Sequence, residues 1–220
     1  MNSLSDIVTT LFGENTQTVD IVILLTILTI LPSIVLMLTG FTRILIVLSF
    51  VRNALGMQQT PPNQVLIGLA LFLTFFVMQP VLSEVYNEAY TPFIEGEIAQ
   101  DEFFDRAMGP AREFMFDQVF DTDMDFFVGL SGIEVTDEAS IPNSVLIPAF
   151  LTSEIKHAFW VGFLIYIPFI VIDMIVASTL MAMGMMMLPP AMISLPFKVL
   201  LFVLVDGWQL IIGALITTFH

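Results

Sequence analysis

Four stretches of this chain stay apolar for roughly the 20 residues that a bilayer-crossing helix requires: 19–38, 65–82, 158–180 and 195–216. The first continues through Gly40 in a helical pattern as far as Val51, interrupted by Arg43 and Arg52. A polar turn, Gln58-Gln59-Thr60-Pro61-Pro62-Asn63, then leads into the second, with prolines where a helix can begin. These features predict a helical hairpin. The third and fourth stretches are joined by Met181-Ala182-Met183-Gly184-Met185-Met186-Met187-Leu188-Pro189-Pro190, where glycine and paired prolines interrupt the helical pattern and predict a second hairpin. Between the hairpins, 102–120 carries Phe103, Ala107, Ala111, Phe114 and Met115 at spacings of three and four, which predicts an amphipathic helix. The following residues, 121–142, read as a loop. The predicted fold class is therefore all-α: membrane-associated helical hairpins with an acidic helical insert. Three segments make up one structural unit: 1–64 with the first hydrophobic helix and its turn, 65–147 with the second helix and the insert, and 148–220 with the C-terminal hairpin.

Composition supports the membrane class. The chain is 57% hydrophobic and 12% charged, against about 45–50% apolar residues in soluble domains. Cysteine is absent, which excludes disulfides, thiol chemistry and thiolate metal sites. Residues 1–20 contain Asp6, Glu14 and Asp20 but no lysine or arginine, so they lack the pattern of a signal peptide. The net charge of −15 is concentrated: 84–138 holds fifteen acidic residues against Arg106 and Arg112, or −13 of the total. Such a segment repels nucleic acid and anionic surfaces and reads as a solvated acidic face. Arg43 and Arg52 flank the first hairpin turn, so the positive-inside rule places that turn and the Met-rich loop in the cytoplasm and the acidic insert outside.

Charges within apolar segments are costly and face a bundle interior or a partner. Arg43, Glu154 and Lys156 fall at element ends, whereas Asp173, Lys198 and Asp206 fall inside hydrophobic stretches. Lys198 and Asp206 are eight residues apart on one expected helix, about 12 Å along its axis, too far for a good local pair. Lys198 therefore needs a carboxylate from another helix or another copy, Glu154 or Asp173, and Glu154 is the expected partner. Asp173 and Asp206 also admit a proton relay, which makes an independent proton-coupled transporter the second class of function. Enzyme signals are weak. His157 and His220 do not suggest a metal site, Asp206-Gly207-Trp208 lacks the flanking glycines of a membrane aspartyl protease, and no phosphate loop or nucleophile elbow is present. Ser194 and Lys198 share a helix face without an oxyanion site. No catalytic residue, cofactor or metal is expected.

Five methionines occupy seven positions between Met181 and Met187, and the loop carries no charge. Methionine is unbranched and polarizable, so this stretch is either a core turn or a soft surface able to repack around differently shaped partners.

Several runs resemble one family. They are Pro148-Ala149-Phe150-Leu151-Thr152-Ser153-Glu154-Ile155, 183–190, Pro190-Ala191-Met192-Ile193-Ser194-Leu195-Pro196-Phe197-Lys198, Phe41-Thr42-Arg43-Ile44 and 52–64. Together they resemble the FliP family of flagellar type III export-gate proteins over nearly the whole chain, and the insert matches in character. Trp160 departs from the family pattern, which has a charged or amide residue there. The resemblance implies a mature form without its signal peptide, located in the bacterial inner membrane and flagellar basal body with the insert on the periplasmic side. It implies a pentamer with FliQ and FliR, working beside other export-apparatus membrane proteins, lipid and unfolded flagellar substrates, with no nucleic acid. It also implies a helical oligomeric pore in which Met183, Met185, Met186 and Met187 form a gasket. An equivalent subunit of a virulence injectisome is the alternative within the same reading.

Overall fold

The computed structural model describes residues 36–57, 59–133, 137–185 and 187–219, together with 25, 26, 28–30 and 33. Most of the expected first span, 19–38, and the residues Met186 and His220 lie outside this description. The chain divides into two units, Met1–Met37 and Leu38–His220. In the first, the described residues are helical, with the Thr29 hydroxyl donating to the Leu25 carbonyl at 2.7 Å.

In the second unit every regular element among the described residues is helical. Helix α1 (Phe41–Ala54) is followed by α2 (Asn63–Val77), α3 (Gln79–Val85), a π-helical turn (Tyr86–Tyr90) and the short α4 (Thr91–Ile94). Then come α5 (Gln100–Gln118), α6 (Asp121–Ser131), a 3₁₀ turn (Glu138–Ser140), the 40-residue α7 (Asn143–Ala182), α8 (Pro190–Leu204) and α9 (Gly207–Thr217). The predicted C-terminal hairpin is present as α7 with α8 and the amphipathic helix is α5; of the first hairpin the described part is α1 with α2, and residues 38–40 form a turn before α1 instead of carrying a helix through Gly40.

Three expectations need correction. Residues 121–142 are not a loop, because α6 occupies half of them. Asp121 and Asp123 lie in its first turn, where carboxylates favour the positive end of the helix dipole. Met124, Phe127 and Val128 pack on the core. Second, Glu154 and Lys156 are interior to α7 rather than at an element end. That helix begins fifteen residues before its apolar stretch and runs for about 60 Å. Third, two expected straight spans are bent, by 58° between α2 and α3 and by 67° between α8 and α9. Pro80 has no N–H to continue α2, and at the second bend Asp206 takes a left-handed conformation, φ 50°. Lys198 and Asp206 therefore do not share one helix. By length and composition α7 alone among the described helices can cross a membrane unbroken.

Packing follows the order α2–α1–α7–α8, with α5 and α6 on the N-terminal half of α7 and α3 against α5. The main core joins Ile44, Val47 and Leu48 of α1 to Leu66, Met115, Leu146 and Phe150. A second cluster, Val51, Ala54, Leu55, Phe169, Phe202 and Ile211, ties the end of α1 to α7, α8 and α9. The α1–α7 contact depends on Gly162, where a Cβ would fall 2.6 Å from the Phe50 ring. Gly162→Ala is expected to cost about 1–3 kcal/mol, the usual penalty for overpacking, measured as lower thermal stability of the detergent-purified chain.

Candidate functional site

Two features stand out: a buried ionic network that joins four segments, and an exposed methionine loop. Arg43 of α1 and Glu154 of α7 are both fully buried. The carboxylate of Glu154 accepts from Arg43 Nε at 3.2 Å and also from Nη2. Nη1 donates to the Thr218 carbonyl at 2.8 Å and its hydroxyl at 3.2 Å, and Nη2 donates to Gln118 Oε1 at 3.0 Å. All five guanidinium donors are thus engaged. Gln118 Nε2 in turn donates to the Phe219 carbonyl at 3.3 Å, and the Phe219 ring lies 4.0 Å from the guanidinium carbon. A charge in this position is tolerable only because its partners are complete.

The expected Glu154–Lys198 pair is therefore corrected within the chain: each of these residues has another partner. Glu154 faces α1, whereas Lys198 on α8 meets α7 nineteen residues further on, about 28 Å along the axis. There Lys198 Nζ donates to Asp173 Oδ2 at 2.6 Å and to the Ala54 carbonyl at 3.1 Å. Ser194 Oγ donates to Asp173 Oδ1 at 2.6 Å. The four-residue spacing of Ser194 and Lys198 serves to hold one carboxylate. Asp206, the third intramembrane-type acid, lies exposed at the α8–α9 bend, apart from both pairs.

Two partners were not legible from sequence. Asp123 of α6 is buried, pairs with Lys156 and accepts from Ser153 Oγ at 2.8 Å, while Phe120 stacks on His157. Arg112 of α5 donates to Asn143 Oδ1 and to the Ile141 carbonyl at 2.8 Å. These bonds fasten the acidic insert to α7. Gln118 could have been found: it lies on the face of α5 that also buries Phe114 and Met115. Among the described residues no group of three or more His, Asp or Glu side chains is arranged to hold a metal ion.

The methionine loop closes the α7–α8 hairpin. Gly184, at φ 74°, ends α7: its N–H reaches the Met181 carbonyl at 3.0 Å and the Met185 N–H reaches the Leu180 carbonyl at 3.0 Å. This is the paired bonding of a Schellman cap, for which glycine has the required left-handed freedom. Pro189 and Pro190 then start α8. Met183 is 61% exposed, Met185 41% and Met187 98%, so the loop is not a core turn in the isolated chain. Beneath it an apolar groove of about 500 Å³ runs between α7 and α8, lined by Ile172, Ile175, Val176, Thr179, Leu180, Met183, Ile193 and Phe197.

Comparison with known proteins agrees with the motifs. The FliP family model matches residues 24–215. The chain is 56% identical over 206 residues to the flagellar biosynthetic protein FliP of Pectobacterium carotovorum subsp. carotovorum, spanning 93% of this chain and 80% of that one. It is 51% identical over 221 residues to the protein of that name from Bacillus subtilis (strain 168), spanning 100% of both. With the Cereibacter sphaeroides protein of that name it shares 52% identity over 201 residues, 91% of this chain and 67% of the other. A family model covering most of the sequence, joined to these near full-length identities, establishes that the chain belongs to the FliP family.

Proposed function

We propose that this chain is a pore-forming core subunit of the flagellar type III protein export gate in the bacterial inner membrane. In this reading several copies, a pentamer, assemble with FliQ and FliR, and unfolded flagellar subunits pass through the channel they enclose. The acidic insert then faces the periplasm. The observation that carries the reading is the methionine loop: an uncharged, exposed cluster at a hairpin tip, held by a glycine cap and a double proline. One copy is too small to close anything. Repeated around a ring, Met183, Met185, Met186 and Met187 constrict a pore with side chains whose many rotamers adapt to a passing chain, and an apolar constriction excludes ions by dewetting. Exposed Phe159, Trp160, Phe163 and Leu164 on α7 supply apolar surface for neighbouring subunits or lipid. The flagellar names of the relatives favour the flagellar system over an injectisome.

Replacing Met185, Met186 and Met187 together with alanine is expected to raise ion leakage through the assembled complex while some export continues. Ion conductance in membranes containing the complex, measured beside filament formation, tests this. Unchanged conductance would remove the seal from the mechanism.

A further inference from the structure

The thioethers of this chain fall into two environments. Met78, at the bend between α2 and α3, and Met115, within α5, are buried in the main core. At the tip of the α7–α8 hairpin Met181, Met183, Met185 and Met187 are all exposed, Met187 almost completely. Among the described residues the other exposed methionines, Met37, Met174 and Met192, stand singly on their helices. The Gly184 cap and the paired prolines hold the tip between two helices, so accessible sulfur is concentrated on one short loop.

A thioether in reach of solvent is oxidised to a sulfoxide. With hydrogen peroxide as the oxidant, a sulfur lone pair takes one oxygen, and the O–O bond breaks as the S–O bond forms. The proton on the transferred oxygen passes to the departing hydroxide, which leaves as water. Sulfur loses two electrons and the peroxide gains them. Burial shields Met78 and Met115, because the peroxide must reach the sulfur itself. The product is no longer an apolar arm: it carries a polar oxygen that needs a hydrogen-bond donor.

The loop has little to offer that oxygen except water. Met183 lines the apolar groove with Ile175, Leu180, Ile193 and Phe197. Among the described lining residues Thr179 alone has a polar side chain, and its hydroxyl already donates to the Ile175 carbonyl at 2.8 Å. Burying a polar group without a partner is costly, so a sulfoxide at Met183 turns out of the groove into solvent. At the exposed Met185 and Met187 the added oxygen holds water directly. An apolar constriction excludes ions only while its walls hold no water, and a ring of copies multiplies the change.

We propose that the methionine loop is a reversible oxidation site, at which hydroperoxide converts its thioethers to sulfoxides, wets the constriction and admits ions; the proposal rests on the gasket reading above. Membranes containing the complex assembled with its partner subunits are treated with hydrogen peroxide and then with methionine sulfoxide reductases A and B, one for each sulfoxide epimer. Peptide mass spectrometry and ion conductance are read at each step. Oxygen should be gained within 181–187 ahead of Met78 and Met115. Conductance should rise about tenfold or more, the scale on which one polar group shifts from burial to hydration, and should fall back after reduction. The rise should persist when Met174 and Met192 are replaced by leucine. It should be lost when Met183, Met185, Met186 and Met187 are replaced by leucine, each complex being compared with its own untreated state. A loop that stays unoxidised, an oxidised loop with unchanged conductance, an equal rise in the four-leucine complex, or no recovery after reduction would overturn the oxidation site and leave the gasket standing. Unchanged conductance in the alanine-substituted complex described above would remove the gasket and the oxidation site together.

Discussion

Glu154→Ala is expected to destabilise the chain by about 3–5 kcal/mol, the usual cost of removing one partner from a buried ion pair. The substitution leaves the Arg43 guanidinium in a fully buried site with Gln118 and Thr218 but no counter-charge. Against a total stability of about 5–15 kcal/mol, a chain so altered should accumulate poorly. Arg43→Ala should be of similar severity, since it strands the carboxylate instead. Replacing both residues with leucine should recover much of the loss, because an apolar pair of similar volume avoids the desolvation cost altogether. Thermal unfolding in detergent of the unaltered chain, Arg43→Leu, Glu154→Leu and the double-leucine chain forms a double-mutant cycle. A coupling near zero between Arg43 and Glu154 would contradict the network.

Asp173→Ala should also destabilise, by about 3 kcal/mol, the low end of the same range because Asp173 is more than one-third exposed and water offsets part of the deficit. Lys198 would keep only the Ala54 carbonyl. The informative chain is the double replacement Asp173→Leu with Lys198→Met. If the pair serves to join α7 to α8, the double variant should fold better than Asp173→Ala alone and keep export. A proton carrier would instead be abolished in the double variant, however stable. Swimming and secretion of flagellar subunits, measured beside protein level, separate the two outcomes.

Hydropathy located the helices because burial and bilayer length impose simple periods on a chain, and the glycine and prolines of the methionine loop marked their own turn. The bends were hidden for the same reason. Averaged over 195–216, one left-handed Asp206 does not interrupt an apolar stretch, although an Asp-Gly step is a local clue to such a conformation. Helix α6 was missed because its residues read as solvent-facing acids, while Met124 and Phe127 carry the packing. Partners of the buried charges depend on which turns of α1, α5, α7 and α8 meet, and residues 43, 154 and 218 carry no mark of that in sequence. The methionines were legible as a soft loop, but their exposure needed the tertiary arrangement.

The wiring of Arg43 has a consequence for synthesis of the chain. Its carboxylate partner lies 111 residues later and its carbonyl partner 175 residues later. At roughly 5–20 residues per second, a ribosome makes Glu154 about 5–20 s after Arg43, and Thr218 later still. Throughout that interval the nascent helix carries an uncompensated cation in an apolar segment. Helix α1 therefore cannot settle into its final burial as it emerges, and its maturation must wait for the residues that complete its hydrogen bonds.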